Sequence, residues 1–520
     1  MLQIDNVKIE LEQTDYTGAI ARQLQVERCD IQEVKLIKQA LDARRKKHIH
    51  YRCSFTFTTT NPHVLQHSLV RQVESYSYPK GVAGAKTIMI VGSGPAGLFC
   101  AYQLARSHQK VIVIEQGEDV DARNAAVQRF FAGGPLDKNS NVQFGEGGAG
   151  TYSDGKLTTG NRDFRKQFIL ETFVKHGAKP DILYQNKPHV GTDYLSTVVK
   201  NMRNYIIDHG GEVWFNTKLV DIHIEQQAMR QVAIKQNNIE KIVPVDSLVL
   251  AIGHSARDTY EMLYERGIPM ETKPFAVGLR IEHLQSFINQ TQYGTHIKHQ
   301  LLPAADYKLA TSTRQRRGVY TFCMCPGGTV INASSEPHRL VVNGMSNQAR
   351  DHQNANSAIL VAVNQDDFGS LHPLAGISWQ RQLEQKAYEM GGNNGMFPTQ
   401  RVEDFLSRTV SKSWQEVQPT IQPGAVIAPL HTLFSDSIYE SMQEGLQWMD
   451  TKLPGFCTQA ILTGVESRSS APVRIIRKED MESEVKGIYP IGEGAGYAGG
   501  IMSSAIDGLR LAEKLLIGEK

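Results

Sequence analysis

The sequence predicts an α/β protein in which a nucleotide-binding parallel sheet is assembled from discontinuous segments, between a small α+β module at the N-terminus and a β-rich cap. Three observations carry this. The run Ile88-Met89-Ile90-Val91-Gly92-Ser93-Gly94-Pro95-Ala96-Gly97-Leu98 reads as a strand, a glycine turn and a helix start. A second apolar run, Val111 to Ile114, ends in Glu115 and Gln116, placing a carboxylate ~20 residues past the glycines, where it can take ribose hydroxyls. Far along the chain, Gly487 to Met502 repeats strand, glycine turn and helix. At the first of these sites Gly92 allows a tight turn, Gly94 lets the backbone approach a pyrophosphate, and Gly97 lets the helix pack on the sheet. An anion then rests on the helix N-terminus, where free N–H groups and the dipole favour negative charge. The pattern is that of a dinucleotide site.

Composition sets limits on function. Hydrophobic residues at 41% and charged residues at 21% describe an ordinary globular chain of 520 residues, long enough for several cores. A net charge of +2 gives no bulk attraction to nucleic acid or acidic membrane. No apolar run is long enough to span a bilayer, and residues 1–6 have no basic and apolar leader pattern. Cys29, Cys53, Cys100, Cys323, Cys325 and Cys457 contain no CxxC pair and fit a reducing compartment, so a cytoplasmic location is expected.

Residues 1–80 read as the α+β module. Val7 to Leu11 and Ile49 to Thr58 alternate like strands, while Ile31 to Ala43 carries helical spacing. The basic run from Arg44 to Arg52 is either a solvated helix end or a contact for an anion or nucleic acid. Gly81 to Ala85 reads as a linker.

Residues 86–270 form the first part of the nucleotide domain. Beyond Arg123, the stretch Asn141 to Leu157 is too glycine-rich for a stable helix or strand, but it can wrap closely around a planar ligand, anchored by Phe144, Tyr152 and Leu157. Helical spacing follows over Phe164 to His176 and Leu195 to Ile207, then strands over Glu212 to Phe215 and Leu219 to Ile224. Val245 to Leu250 is a buried strand ending at Ala251-Ile252-Gly253. His254 follows, either touching a ligand or merely capping the strand.

Residues 271–454 lack a nucleotide fingerprint and read as the substrate or cap domain. Val319 to Ser334 reads as a hairpin with Pro326-Gly327-Gly328 at its turn. Cys323 and Cys325, two apart, should share one face of that strand. They are buried small hydrophobes, a thiol pair facing the cofactor, or half of a metal site. Ser346 and Arg350 are candidate substrate contacts.

Residues 455–520 return to the nucleotide domain. Gly492 and Glu493 end a strand, and Gly499, Gly500, Ile501 and Met502 open the last helix. This resembles the glutathione-reductase-like FAD fold, in which such a carboxylate holds the ribityl chain and such a helix N-terminus faces the flavin pyrimidine. A helix end there would stabilise negative charge without reorganising. The resemblance implies further cofactor contacts: Gly148, Thr151 and Ser153 beneath the ring and pyrophosphate, Lys156 near flavin N5 or the substrate, the backbone near Val220 at the adenine, and Ala251 and Gly253 at a strand end returning to the pocket. With Arg123 and Leu157 these complete the candidate FAD-binding set begun by Gly92, Gly94, Pro95, Ala96, Gly97, Glu115 and Gln116; no catalytic side chain and no metal ligand is assigned.

Taken with Tyr320 to Gly328, Asn343 to Ser346 and Thr463 to Arg468, these motifs resemble bacterial FAD-dependent dehydrogenases, the NAD(FAD)-utilizing dehydrogenases, over nearly the whole chain. The resemblance implies a fold and FAD but no substrate. The expectation is an FAD-dependent oxidoreductase, with a Rossmann-like FAD/NAD(P)-binding domain, moving a hydride between flavin N5 and a small molecule. No second strand–GxGxxG–helix–strand unit, the mark of a separate Rossmann domain, follows Gly97, so NAD(P)H is expected only as a transient visitor. A flavin-dependent RNA-modifying enzyme using the basic run, and a non-catalytic flavin-binding protein, are the alternatives; no membrane or nucleic-acid partner is expected, and the oligomeric state is not readable.

Overall fold

The computed structural model describes residues 1–520 apart from 74–77, 79–80, 82–83, 161–162, 295–299 and 518–520. Five short strands form one parallel sheet in the order Ile488–Pro490, Ser247–Leu250, Thr87–Val91, Lys110–Ile114, Glu212–Trp214. Strands about 400 residues apart in sequence therefore lie two places apart in one sheet, as the discontinuous, Rossmann-like reading requires. Both faces are covered by apolar clusters, which is why these strands are continuous hydrophobic runs rather than alternating ones. The helices Pro95–Arg106 and Ile501–Ile517 pack side by side on one face. Their backbones touch: a Cβ on Gly508 would lie 2.1 Å from the Ala96 carbonyl oxygen.

An antiparallel meander, Thr217–Glu225, Ala228–Gln236 and Ile239–Pro244, lies beside this sheet. Only the first of its strands is legible from alternation, since Ile239–Pro244 is largely exposed and its apolar residues do not alternate.

The cap is a seven-stranded sheet in the order Ala310–Ser312, Gly318–Cys325, Asn354–Val363, Phe275–Leu284, Ile461–Glu466, Phe397–Arg401, Ala425–Ile427. Two expectations are corrected here. Ile461–Glu466 is an inner cap strand, buried at every position, so the return to the nucleotide domain begins after Glu466 rather than at residue 455. Val319 to Ser334 is not a hairpin. Gly318–Cys325 pairs with Asn354–Val363 in the large sheet, whereas Thr329–Asn332 leaves it to pair with Val342–Met345. The Pro-Gly-Gly segment is a sheet-to-sheet crossover, because Asn354–Val363 offers a longer buried partner than the local return could.

The N-terminal module is a four-stranded antiparallel sheet in the order Gln32–Asp42, His50–Thr58, Leu2–Glu10, Val70–Gln72, the topology of a split βαβ unit. The segment Ile31 to Ala43 is thus a strand, not a helix. Its pairing with His50–Thr58 slips at two places, between Gln32 and Lys35 and between Leu36 and Lys38. These irregularities break period two and leave apolar residues at a spacing that imitates a helix. The module's helix is instead Tyr16–Leu24, capped by the Asp15 side chain. The basic run is a hairpin turn, with Arg44 and Arg52 both bonded to Asp42, and no helix dipole for it to complement. Leu11, Leu41, Ala43 and Ile49 pack into the cap core, tying module to cap. Of the linker Gly81 to Ala85, residues 82–83 lie outside the described set.

Candidate functional site

A cleft of 670 Å³ opens between the nucleotide sheet and the cap. Val91, Ile114, Ala251 and Ile491 line it, so it sits at the carboxyl ends of the parallel strands, where ligands bind in open α/β sheets. Of the expected cofactor residues, Gly92, Gly94, Pro95, Ala96, Glu115, Gln116, Gly148, Ser153, Lys156, Ala251, Gly253, Glu493, Gly499, Gly500 and Ile501 face it.

Seven others do not. Gly97 lies beneath the turn, where a Cβ would fall 2.0 Å from the Gly92 carbonyl oxygen. Leu157 and Met502 are core residues of the nucleotide domain. Gly492 is buried, its N–H donating to Asp507. Thr151 donates to the Glu146 carbonyl inside the glycine loop. Val220 is half-buried beside the cleft-lining Thr217, Lys218 and Leu219. Arg123 is fully buried and donates to five backbone carbonyls, those of Asn141, Val142, Gly145, Glu146 and Gly148. It shapes the glycine loop from behind. Burial with no ion-paired carboxylate pulls its basicity down.

Glu115 is more than a ribose acceptor. Its carboxylate accepts from Ser93 N–H (3.0 Å), Ser93 Oγ (2.7 Å), Gly117 N–H (3.0 Å) and Gly145 N–H (3.0 Å), clasping the fingerprint turn to the glycine loop. Ribose hydroxyls would have to displace one of these donors.

The nucleotide wall fits FAD. A Cβ on Gly94 would have only the Gly148 Cα within 4 Å, at 3.9 Å, and a Cβ on Gly253, Gly499 or Gly500 would meet nothing. Bare backbone from three separate segments therefore frames open space that side chains would fill. Two helix N-termini, at Pro95 and Ile501, begin at this wall; donors and dipoles of that kind match an anionic pyrophosphate and a ring that gains negative charge. Beside the second, Glu493 accepts from the Gly500 N–H at 3.2 Å, and burial pushes its carboxyl up to about 7. Burial beside Arg468 and Arg257 pushes the His254 imidazole down to about 4, leaving it neutral at the cleft edge.

The cap wall is built differently, from charged side chains: Lys156 and Arg350, expected near a ligand, and behind them Arg280, which no motif announces. Arg280, fully buried, donates to both Glu466 oxygens (3.1 and 2.9 Å), Asn356 Oδ1 (2.8 Å) and the Cys323 carbonyl (2.6 Å). Asp154 accepts from Arg350 at 2.9 and 2.5 Å and from Ser346, with Lys156 Nζ at 3.4 Å. Lys156 also donates to the Met324 carbonyl, so it joins the glycine loop to the cap. Ser346 reaches Asp154 without lining the cleft; Arg350 does both. A third cluster pins the nucleotide domain to the cap: Glu384 accepts from Arg257, Arg468 and Ser467, and Arg468 also donates to Ser255 and Ser335. The two arginines hold Glu384 well below the usual carboxylate range despite its burial.

Cys323 and Cys325 do not share a face. The ladder slips between Phe322 and Cys325, Cys323 takes φ 42°, and its side chain is exposed to the cleft while Cys325 is buried. Among the described residues no group of three or more His, Cys, Asp or Glu side chains is arranged to hold a metal ion.

Residues 274–469 match a family model described as FAD-dependent protein, C-terminal domain-like; residues 90–139 match an NAD(P)-binding Rossmann-like domain, and residues 1–58 a domain of unknown function. An uncharacterized protein of Clostridium beijerinckii is 44% identical over 99% of this chain and 98% of its own length. The chain belongs to this FAD-dependent protein family. Membership accounts for the cap as much as for the glycine wall, since the matched C-terminal region spans the seven-stranded sheet almost end to end. Solved structures similar to this FAD-dependent protein include a glycine oxidase from Bacillus cereus (14% identity, 84% of this chain, 96% of the other, TM-score 0.32) and a geranylgeranyl bacteriochlorophyll reductase-like protein from Thermoplasma acidophilum (12%, 84%, 82%, TM-score 0.36). Likeness at that level carries no reaction across. The matched family descriptions name neither a glutathione-reductase-like class nor a dehydrogenase. Among the described residues no helix is long and apolar enough to cross a membrane.

Proposed function

We propose that this FAD-dependent protein is an oxidoreductase acting on a small molecule held between the cofactor and the cap sheet. Bound FAD supplies two-electron chemistry at its flavin, taking up or releasing a hydride. The observation that carries the reading is the two-sided cleft: bare glycine backbone on the nucleotide wall, and on the other wall Glu466, Lys156 and Arg350 set for a second ligand. The glycine segments bind and orient the cofactor. The Glu384 cluster holds cap against nucleotide domain and so limits water entry, which strengthens every charge inside. Lys156, fixed between Asp154 and the Met324 carbonyl, can carry a proton at the join of the two walls.

NAD(P)H enters this proposal only as a passing reductant, since no second strand–GxGxxG–helix–strand unit follows Gly97 among the described residues. An RNA substrate draws no support from the basic run, whose Arg44 and Arg52 are spent on Asp42. We also place the protein in the cytoplasm, on its cysteine usage.

The test is anaerobic photoreduction of the purified yellow protein, followed by reoxidation against a panel of metabolites and nicotinamide cofactors. Reoxidation by one class of small molecule at a rate far above that with oxygen is the expected result. A reduced protein that reacts only slowly, and only with oxygen, would overturn the enzyme reading.

A further inference from the structure

The six cysteines divide by environment. Cys53, Cys100 and Cys457 are buried in cores, Cys29 lies on the surface of the N-terminal module, and only Cys323 and Cys325 line the cleft. If these two were simply small core residues, a regular strand would serve. Instead the strand Gly318–Cys325 slips by one residue against Asn354–Val363 at this point, and Cys323 is held at φ 42°. A left-handed non-glycine residue is strained and persists only where surroundings enforce it. They do so here from two sides: Arg280 donates to the Cys323 carbonyl at 2.6 Å, and Lys156 donates to that of Met324. Bulges re-aim side chains beside active sites. This one turns the Cys323 thiol out into the cleft and folds Cys325 back, so that Cys325 Sγ lies 3.2 Å from the Cys323 carbonyl oxygen. Burial raises the Cys325 thiol overall, and Arg280 Nη2, 3.4 Å from that sulfur, pulls against it toward the thiolate.

We propose that Cys323 and Cys325 form a redox-active dithiol that exchanges two electrons with the bound flavin. The proposal rests on the oxidoreductase reading for its electron partner. On oxidation two S–H bonds break and one S–S bond forms, and the two electrons and two protons released are taken up by oxidised flavin; the reverse direction returns them. In the reduced state enclosure by the cleft walls keeps Cys323 protonated, its thiol pushed up to about 12 against the pull of Lys156 and Arg280. The pair would give the protein a second two-electron store beside the flavin, and a way to pass reducing equivalents to a disulfide or other thiol-reactive substrate at the cap end.

Both cysteines fall in one tryptic peptide, Gly318–Arg339, with no other cysteine. The experiment is a stepwise anaerobic dithionite titration of oxidised holoprotein, with peptide masses and a thiol count in denaturant taken before and after. Expected are four electrons per FAD, four titratable thiols of the six before reduction, and a peptide mass lighter by about 2 Da; Cys323→Ser and Cys325→Ser should each take two electrons. Two-electron uptake with six free thiols and an unshifted peptide would overturn the dithiol while leaving the FAD site and the metabolite test untouched. Should either variant fail to fold, the wild-type peptide mass decides alone. Should the purified protein hold no flavin, the count after one equivalent of diamide decides: four thiols with the lighter peptide support the pair, six overturn it.

Discussion

Two buried arginines, one behind each wall of the cleft, show how differently the walls are made. Arg123 holds the nucleotide wall by bonding five main-chain carbonyls and no carboxylate. Arg280 holds the cap wall mainly through side chains, Glu466 and Asn356, and reaches the backbone at Cys323. Burial weakens the basicity of both; at Arg280 the neighbouring Glu466 more than offsets it, and at Arg123 nothing does. One wall is shaped backbone that suits a fixed cofactor. The other is a set of exchangeable side chains, where specificity can change without touching the cofactor.

The contrast can be broken most severely at the seam. Glu384→Ala leaves Arg257 and Arg468 buried with only the more exposed Glu336 as a carboxylate partner and should cost about 3–5 kcal/mol, read in denaturant unfolding; an unchanged midpoint would show the two domains are not pinned there. Next, Arg123→Leu strands the carbonyls of the glycine loop. We expect a loss of about 3 kcal/mol together with bound flavin, although the residue never touches the cleft, whereas Arg280→Leu should leave the ratio of flavin absorbance to protein absorbance higher than Arg123→Leu does. Gly94→Val separates cofactor from fold. Its Cβ meets nothing closer than 3.9 Å in the protein, so the cofactor-free melting point should hold while FAD retention drops more than about tenfold; a variant purified fully yellow would remove Gly94 from the site.

A smaller effect sharpens the picture at Glu493. Burial raises its carboxyl from 4.5 to about 7, so between those pH values the folded state binds more protons than the unfolded chain. Stability of the cofactor-free protein from this group is therefore present below about 4.5 and is lost as pH rises through 7. Glu493→Gln should flatten that fall in pH-dependent melting. Smallest of all, Arg44→Ala on the exposed hairpin should change neither melting nor flavin content, and a change in either would give the basic run a role the hairpin does not suggest.

Legibility followed the same division. The fingerprint strand and helix, the late Gly492–Glu493 turn and the two long helices Arg165–Lys175 and Thr192–Asp208 lie where periodicity and glycine spacing put them. The reading failed where pairing partners were distant. Gln32–Asp42 imitated a helix because two slips in its ladder hid its alternation. Thr329–Asn332 looked like the return arm of a hairpin until Val342–Met345 claimed it. Glu384 lies in no motif, and Asp154 and Glu466, although inside motif segments, carry nothing that names their partners until a distant arginine reaches each.

What the amino-acid sequence determined by itself was the backbone-made half of this protein: where glycine permits a turn or a close approach, and where a helix must begin, follow from a few adjacent residues. What only the tertiary structure decided was the half made by meeting side chains: which carboxylate neutralises which arginine, and that Cys323 faces the cleft while Cys325 turns inward. Those outcomes depend on burial and on strand register between segments far apart in the chain, and neither is written in any short window of residues.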